Sequence, residues 1–160
     1  MRSIARAQFA EGGGSLPPKG NAPDDRSGPK LCPDPSVEDI SGRSENSLAY
    51  QEYVSGLPRG LEVELGGVSF DGCREADGVM LEAKARYAQS LGADGEWKDF
   101  FTGSNALEAQ MEDQSETAAA YGRQVEWHVQ EKAVADWFRA YANDSGYNNV
   151  EVIFDPGPAP

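Results

Sequence analysis

The chain of 160 residues predicts a mixed α/β fold in the order helix, three strands, helix, strand, helix, strand. Three observations point there. The run Leu61-Glu62-Val63-Glu64-Leu65 alternates apolar and charged residues and is closed by Gly66-Gly67, which is the pattern of a half-buried strand entering a turn. Apolar residues recur at helical spacing in three other stretches, and the last two of those are each followed by a short alternating run. An antiparallel hairpin is therefore expected at the centre of the layer.

Each element has its own local signal. Ser44 suits an N-cap and Gly56 a C′ position, with Leu48, Ala49, Tyr53 and Val54 as the apolar stripe of the first helix between them. Val68-Ser69-Phe70 opens the second strand and residues 79–84 form the third. Ser104 or Asn105 caps a long helix that runs past Leu107 and Met111 to Tyr121 and stops at Gly122. Val125–Val129 is a strand, and residues 131–143 form a helix with Val134, Trp137, Phe138 and Tyr141 turned inward. Val150–Phe154 is the last strand.

Composition bounds the rest. One domain with a tail is expected, with the folded part spanning residues 32–156 and a short disordered end at 157–160. Residues 1–31 are rich in glycine and proline, which predicts a flexible connection to a longer carrier. No apolar run is long enough to span a bilayer, and the N-terminus has no apolar core of a signal peptide. Cys32 and Cys73 lie far apart, so neither a disulfide framework nor a thiolate zinc site is expected, and Cys73 reads as a small buried filler. The single histidine, His128, rules out His-Asn-His nucleases and two-histidine zinc hydrolases. It reads, with Trp127, as a strand and core residue.

The net charge is −13, and it is unevenly placed. Residues 1–44 carry six basic and six acidic side chains, whereas residues 45–160 carry eight and twenty-one. Such a surface grips a polynucleotide poorly by itself. A nuclease that brings its own cations is not excluded, and a basic protein partner suits the charge.

The residues with chemical content are Asp71, Glu82 and Lys84. Asp71 closes one apolar run, and eleven residues later Glu82-Ala83-Lys84 closes another. Residues i and i+2 of a strand share a face, so Glu82 and Lys84 emerge side by side. If the two runs pair as a hairpin, Asp71 joins them. Two carboxylates and an ammonium then suit a divalent cation and a phosphodiester. An equally plain reading is a surface hairpin with an ordinary ion pair. Asp77 competes with Asp71, but Asp77-Gly78 reads as the hairpin turn. A second copy of the pattern, Glu96-Trp97-Lys98, has no strand leading into it and reads as a solvated helix turn.

The element order with this motif resembles the restriction-endonuclease-like fold and its PD-(D/E)xK signature. Tyr50-Gln51, Val54-Ser55-Gly56, Val68-Ser69-Phe70-Asp71-Gly72, Leu81-Glu82-Ala83-Lys84 with Tyr87, and Trp127-His128-Val129 together resemble the restriction endonuclease fold toxins found at the C-termini of bacterial polymorphic toxins, type VI secretion effectors among them. The resemblance covers roughly Cys32 to Pro156. It implies a DNase that uses Mg²⁺ or Mn²⁺, with Asp71, Glu82 and the carbonyl of Ala83 on the ion and Lys84 at the water or the phosphate. Glu45 lies where related folds often place a further acidic ligand, although it also suits the N-terminus of a helix. The resemblance implies a further catalytic glutamine, placed at Gln114, with Gln110 one turn away on the same helix face left open; the plain alternative is that both face solvent. The implied partners are DNA, a cognate immunity protein and the carrier or its secretion machinery. The implied place of action is the cytoplasm of a target cell. Two alternatives stay open: a non-catalytic acidic module that binds a basic partner or mimics nucleic acid, and a Cys73–His128 amidase.

Overall fold

The computed structural model describes residues 30–158, so most of the stretch read as a linker, and the last two residues, lie outside the described part. Among the described residues the order is β1 (Pro35–Val37), α1 (Glu45–Ser55), β2 (Leu61–Leu65), β3 (Val68–Phe70), β4 (Gly72–Cys73), β5 (Met80–Lys84), α2 (Ser104–Ala120), β6 (Val125–Val129), α3 (Lys132–Ser145) and β7 (Val150–Phe154). The expected α/β class and the order of its main elements stand. Two short strands, β1 and β4, add to them. None of the described helices is long and apolar enough to cross a membrane.

The strands form two sheets. β1, β2 and β3 make an antiparallel sheet, and β4-β5-β6-β7 makes a mixed one, antiparallel at β4–β5 and parallel beyond. The β2–β3 hairpin turns at Gly66 and Gly67, whose φ values of 58° and 82° match a tight turn that only glycine adopts freely. The expected pairing of the Asp71 run with the Glu82 run needs a correction. Val68–Phe70 pairs with β2, and only Gly72 and Cys73 pair with β5, as Gly72↔Leu81 and Cys73↔Met80. Asp71 is the bend where the chain leaves one sheet for the other.

Helix α1 is capped as expected. The Ser44 hydroxyl accepts the Ser47 N–H at 3.1 Å, and Gly56 ends the helix at φ 73°. Its buried residues are Tyr50 and Gln51 rather than the apolar stripe read from sequence. The reason is polar anchoring. Tyr50 donates to the Asp155 carbonyl at 2.5 Å and Tyr53 to the Asp155 carboxylate at 3.0 Å, which ties α1 to the end of β7. Gly72 meets the C-terminus of α1 so closely that a Cβ there would lie 2.8 Å from Ser55 Cβ and 3.0 Å from Ser55 Cα. Gly72→Ala must push α1 away from β4. A loss of about 1–3 kcal/mol is expected, read as a lower melting temperature.

The core lies between the mixed sheet and helices α2 and α3. Phe70, Met80, Met111, Trp127, Val134 and Phe138 are almost fully enclosed. Trp127 meets Phe138 edge-on at 5.0 Å, a contact that adds about 0.5–1.5 kcal/mol beyond burial. Helix α2 starts at Ser104 with Gly103, not a serine or asparagine, at the cap. The Glu96 segment is solvated but not helical; it is a loop pinned by a bridge between Leu91 and Trp97. Its Trp97 packs on Phe101 at 4.9 Å and on Trp137 at 5.0 Å.

The cysteine expectation is overturned. Cys32 and Cys73 form a disulfide across 41 residues of sequence, and their Cα atoms lie 5.8 Å apart. It fastens the segment before β1 to β4. The start of the described chain is held as well: Leu31 gives its carbonyl to Arg123, and Lys30 pairs with Asp34. At the other end the Gly157 N–H donates to the Asp155 carboxylate at 3.1 Å.

Candidate active site

Alternation along β5 places Met80, Glu82 and Lys84 on the face covered by α2, with Leu81 and Ala83 on the other. Glu82 is 4% exposed and Lys84 7%, so this is a buried ion pair, not the surface pair of the plainer reading. Lys84 Nζ donates to Glu82 Oε2 at 2.8 Å and to Gln110 Oε1 at 2.5 Å. Gln110 Nε2 returns a bond to Glu82 Oε2 at 2.9 Å. The ammonium also sits 4.9 Å from the Trp127 ring centre, a cation–π contact from below.

Gln110 and Gln114 both reach the pair, so neither simply faces solvent, and they do different things. Gln114 is fully enclosed. It donates to Glu82 Oε1 at 2.8 Å and to the Ser69 carbonyl at 3.1 Å, and accepts the Trp127 indole N–H at 2.8 Å. It holds Glu82 from behind and cannot meet a substrate. Gln110 lines the cleft beside Lys84.

Asp71 comes to the same place from the bend between the sheets. The β4–β5 ladder ends at Leu81, and the Ala83 N–H beyond it donates to Asp71 Oδ2 at 2.8 Å. Burial, and then the charge of Glu82, push the Asp71 carboxyl well above its usual range, against the opposing pull of Lys84 and the Ala83 N–H. Burial alone would lower Lys84, but Glu82, Tyr87 and Asp71 outweigh it and hold the ammonium above its ordinary value. Lys84 is therefore a cation at neutral pH. It donates, and does not act as a base.

Because the folded chain holds the Asp71 proton more tightly than the unfolded chain, stability falls as pH rises from the ordinary carboxylate range through the raised folded value. In buffer free of divalent cations, Asp71→Asn is expected to flatten that slope and to melt above the parent at pH 8. Melting curves between pH 5 and 9 check it.

Glu45 does not join this group. Its side chain is 78% exposed and forms a two-pronged pair with Arg59 at 2.8 and 3.0 Å. The helix-terminal charge is the reading that holds. The acidic neighbours that do act on the site are Glu38, whose charge raises Asp71, and Glu62, which feels Glu38 and Glu82. Glu38 is held by Arg43 at 3.1 Å and by Gln51 at 2.8 Å. Sequence reasoning passed over Glu38 and Glu62; the Gly66-Gly67 hairpin register, which pairs Val63 with Phe70, the neighbours of Glu62 and Asp71, was the available signal for Glu62.

The Cys73–His128 alternative fails on both members. Cys73 has no free thiol. His128 lies between Glu126 at 2.9 Å and Asp155 at 3.0 Å, and Arg74 grips Glu126, so the ring links β6 to the chain end.

A divalent cation fits the remaining valences. Among the described residues no three His, Cys, Asp or Glu side chains form an ion cage of their own. Mg²⁺ needs no such cage, since it is usually held by one or two carboxylates with water and phosphate oxygens. Glu82 offers about four acceptor positions and three are taken, leaving room at Oε1. Asp71 Oδ1 accepts no hydrogen bond among the described residues. Two carboxylates that repel each other and retain open oxygens are the donor set of a hard cation.

Residues 47–132, more than half of the chain, match the family model for restriction endonuclease fold toxin 5. That stretch contains Asp71, Glu82, Lys84, both glutamines and Trp127, and leaves out α3, β7 and Cys32. No curated protein matches the chain. A restriction-endonuclease-like architecture in which Lys84 lines a cleft, with Glu82 paired to it and Asp71 bonded to the Ala83 N–H between them, and a family match across those residues, place this chain in the restriction endonuclease fold toxin 5 family.

Proposed function

We propose that this domain is an antibacterial DNase toxin that hydrolyses phosphodiester bonds with Mg²⁺ or Mn²⁺. The observation that carries the reading is the buried Glu82–Lys84 pair at the side of an open cleft of about 790 Å³, with Asp71 tied to the intervening Ala83. Asp71 and Glu82, with the Ala83 carbonyl, would hold the ion, which when bound acidifies water and neutralises charge on the phosphate. Lys84 uses two of its three N–H bonds on Glu82 and Gln110, so one remains for the phosphate or the attacking water. Gln110 keeps the ammonium aimed, and Gln114 fixes the plane of the Glu82 carboxylate. A cognate immunity protein with a basic docking face fits the −13 charge. The same reading has the domain delivered on a carrier joined through the N-terminal region and acting in the cytoplasm of a target cell.

The test is conversion of supercoiled plasmid by the purified chain. Cutting with Mg²⁺ or Mn²⁺ that stops with a chelator is expected. Plasmid and single-stranded DNA both left intact with either ion, by a folded chain, reject the reading.

A further inference from the structure

Resting on the nuclease reading, we propose that the cleft beside Lys84 takes a single-stranded segment of polynucleotide, its bases stacked on Tyr87 and Phe101 and its backbone led past Lys84. The cleft walls are mainly apolar, built from Val68, Ala106 and Leu107 with the rings of Tyr87 and Phe101. The ring centres lie 6.4 Å apart at 69°. Unpaired bases offer their faces to such rings whatever their sequence, whereas the stacked bases of a duplex do not.

Both rings are set in place by the backbone. Arg86, directly before Tyr87, is the one non-glycine with positive φ among the described residues, at 43°. The Tyr87 and Ala88 N–H groups both donate to the Glu131 carboxylate, at 2.6 and 2.7 Å, and anchor that turn. At the other wall, a Cβ on Gly103 would lie 2.9 Å from the Phe101 ring, so glycine leaves the space that the ring fills.

Charge points the same way. A duplex carries one negative charge per about 1.7 Å of axis and needs a broad cationic surface. Here Arg43, Arg59, Arg74, Lys132 and Arg139 are all paired with carboxylates. Among the described residues, Arg86, Lys98 and Arg123 pair with none, and the first two belong to the segments that carry the rings. Lys98 Nζ lies 5.7 Å over the exposed Phe100 ring, one residue before Phe101. Few cations beside aromatic faces suit a single strand better than a rigid double helix.

The experiment compares cleavage of an end-labelled single-stranded DNA oligonucleotide with that of its blunt duplex, in Mg²⁺ or Mn²⁺ at low salt. The single strand is expected to be cut at least about 10-fold faster, with Tyr87→Leu and Phe101→Leu each raising its KM about 5- to 150-fold at little change in kcat. Equal or faster cutting of the duplex overturns the proposal and leaves the nuclease reading intact. If neither is cut, the nuclease reading falls, and fluorescence anisotropy of the same oligonucleotides with Ca²⁺ decides: ring-dependent preference for the single strand supports the cleft assignment, and no preference overturns it.

Discussion

Replacing both members of the buried pair, as Glu82→Gln with Lys84→Met, is expected to restore most of the stability that Lys84→Met alone removes, while cleavage stays at background in both. Lys84→Met leaves Glu82 charged and 4% exposed, with no cation among its partners. Losing one partner of such a pair typically costs about 3–5 kcal/mol, whereas replacing both by neutral groups is often close to neutral. Glu82→Gln alone leaves the buried Lys84 ammonium without its carboxylate, and so falls under the same rule, at about 3–5 kcal/mol. Activity follows a different rule. On the proposed mechanism each single variant removes a group that would face the phosphate or its ion, and a drop on the order of 10²–10³-fold or more is expected from either. The double variant regains fold without regaining function. Plasmid cleavage and urea melts on the four chains check this, and a double variant that cuts at the parental rate would move the chemistry away from β5.

How much of this was readable without coordinates depends on the range of the interaction. The caps of α1 at Ser44 and Gly56 are set by neighbouring residues, and so is the Gly66-Gly67 turn; all three were legible. The same holds for the shared face of Glu82 and Lys84, since pleating is local. Asp71 was brought to them, but the expected antiparallel pairing with β5 is confined to Gly72 and Cys73 and leaves Asp71 at the bend, because two residues of β4 give no alternation to read. Glu45 was misplaced because an acid at a helix start looks alike whether it faces a site or Arg59, and the arginine lies fourteen positions away in sequence. The two glutamines were indistinguishable on a helical wheel. What separates them is depth: Gln114 meets the indole of Trp127 on a distant strand, while Gln110 stops at the cleft.

Reduction of the Cys32–Cys73 bond is expected to lower the melting temperature by roughly 10–20 °C, since closing its 41-residue span removes about 4 kcal/mol of unfolded-chain entropy. Two lone cysteines so far apart carry no signal of pairing, because the bridge depends on β4 lying beside the segment before β1. Cys73 lies two residues from Asp71 and pairs with Met80, but Asp71, Glu82, Lys84 and both glutamines are held by bonds that do not involve sulfur. Cleavage at 25 °C should therefore survive reduction, and so should that of Cys32→Ser, although both chains melt earlier. Differential scanning fluorimetry with and without dithiothreitol, alongside plasmid cleavage, measures the two effects separately. An unchanged melting temperature would mean that the bond does not form; loss of cleavage at a temperature where the reduced chain is folded would mean that β4 positions Asp71 through the bridge. For the proposed route between cells, the difference has a direction. The bond persists in an oxidising exterior and is lost in a reducing cytoplasm, so the chain would be most resistant to unfolding and proteolysis in transit and least so after arrival.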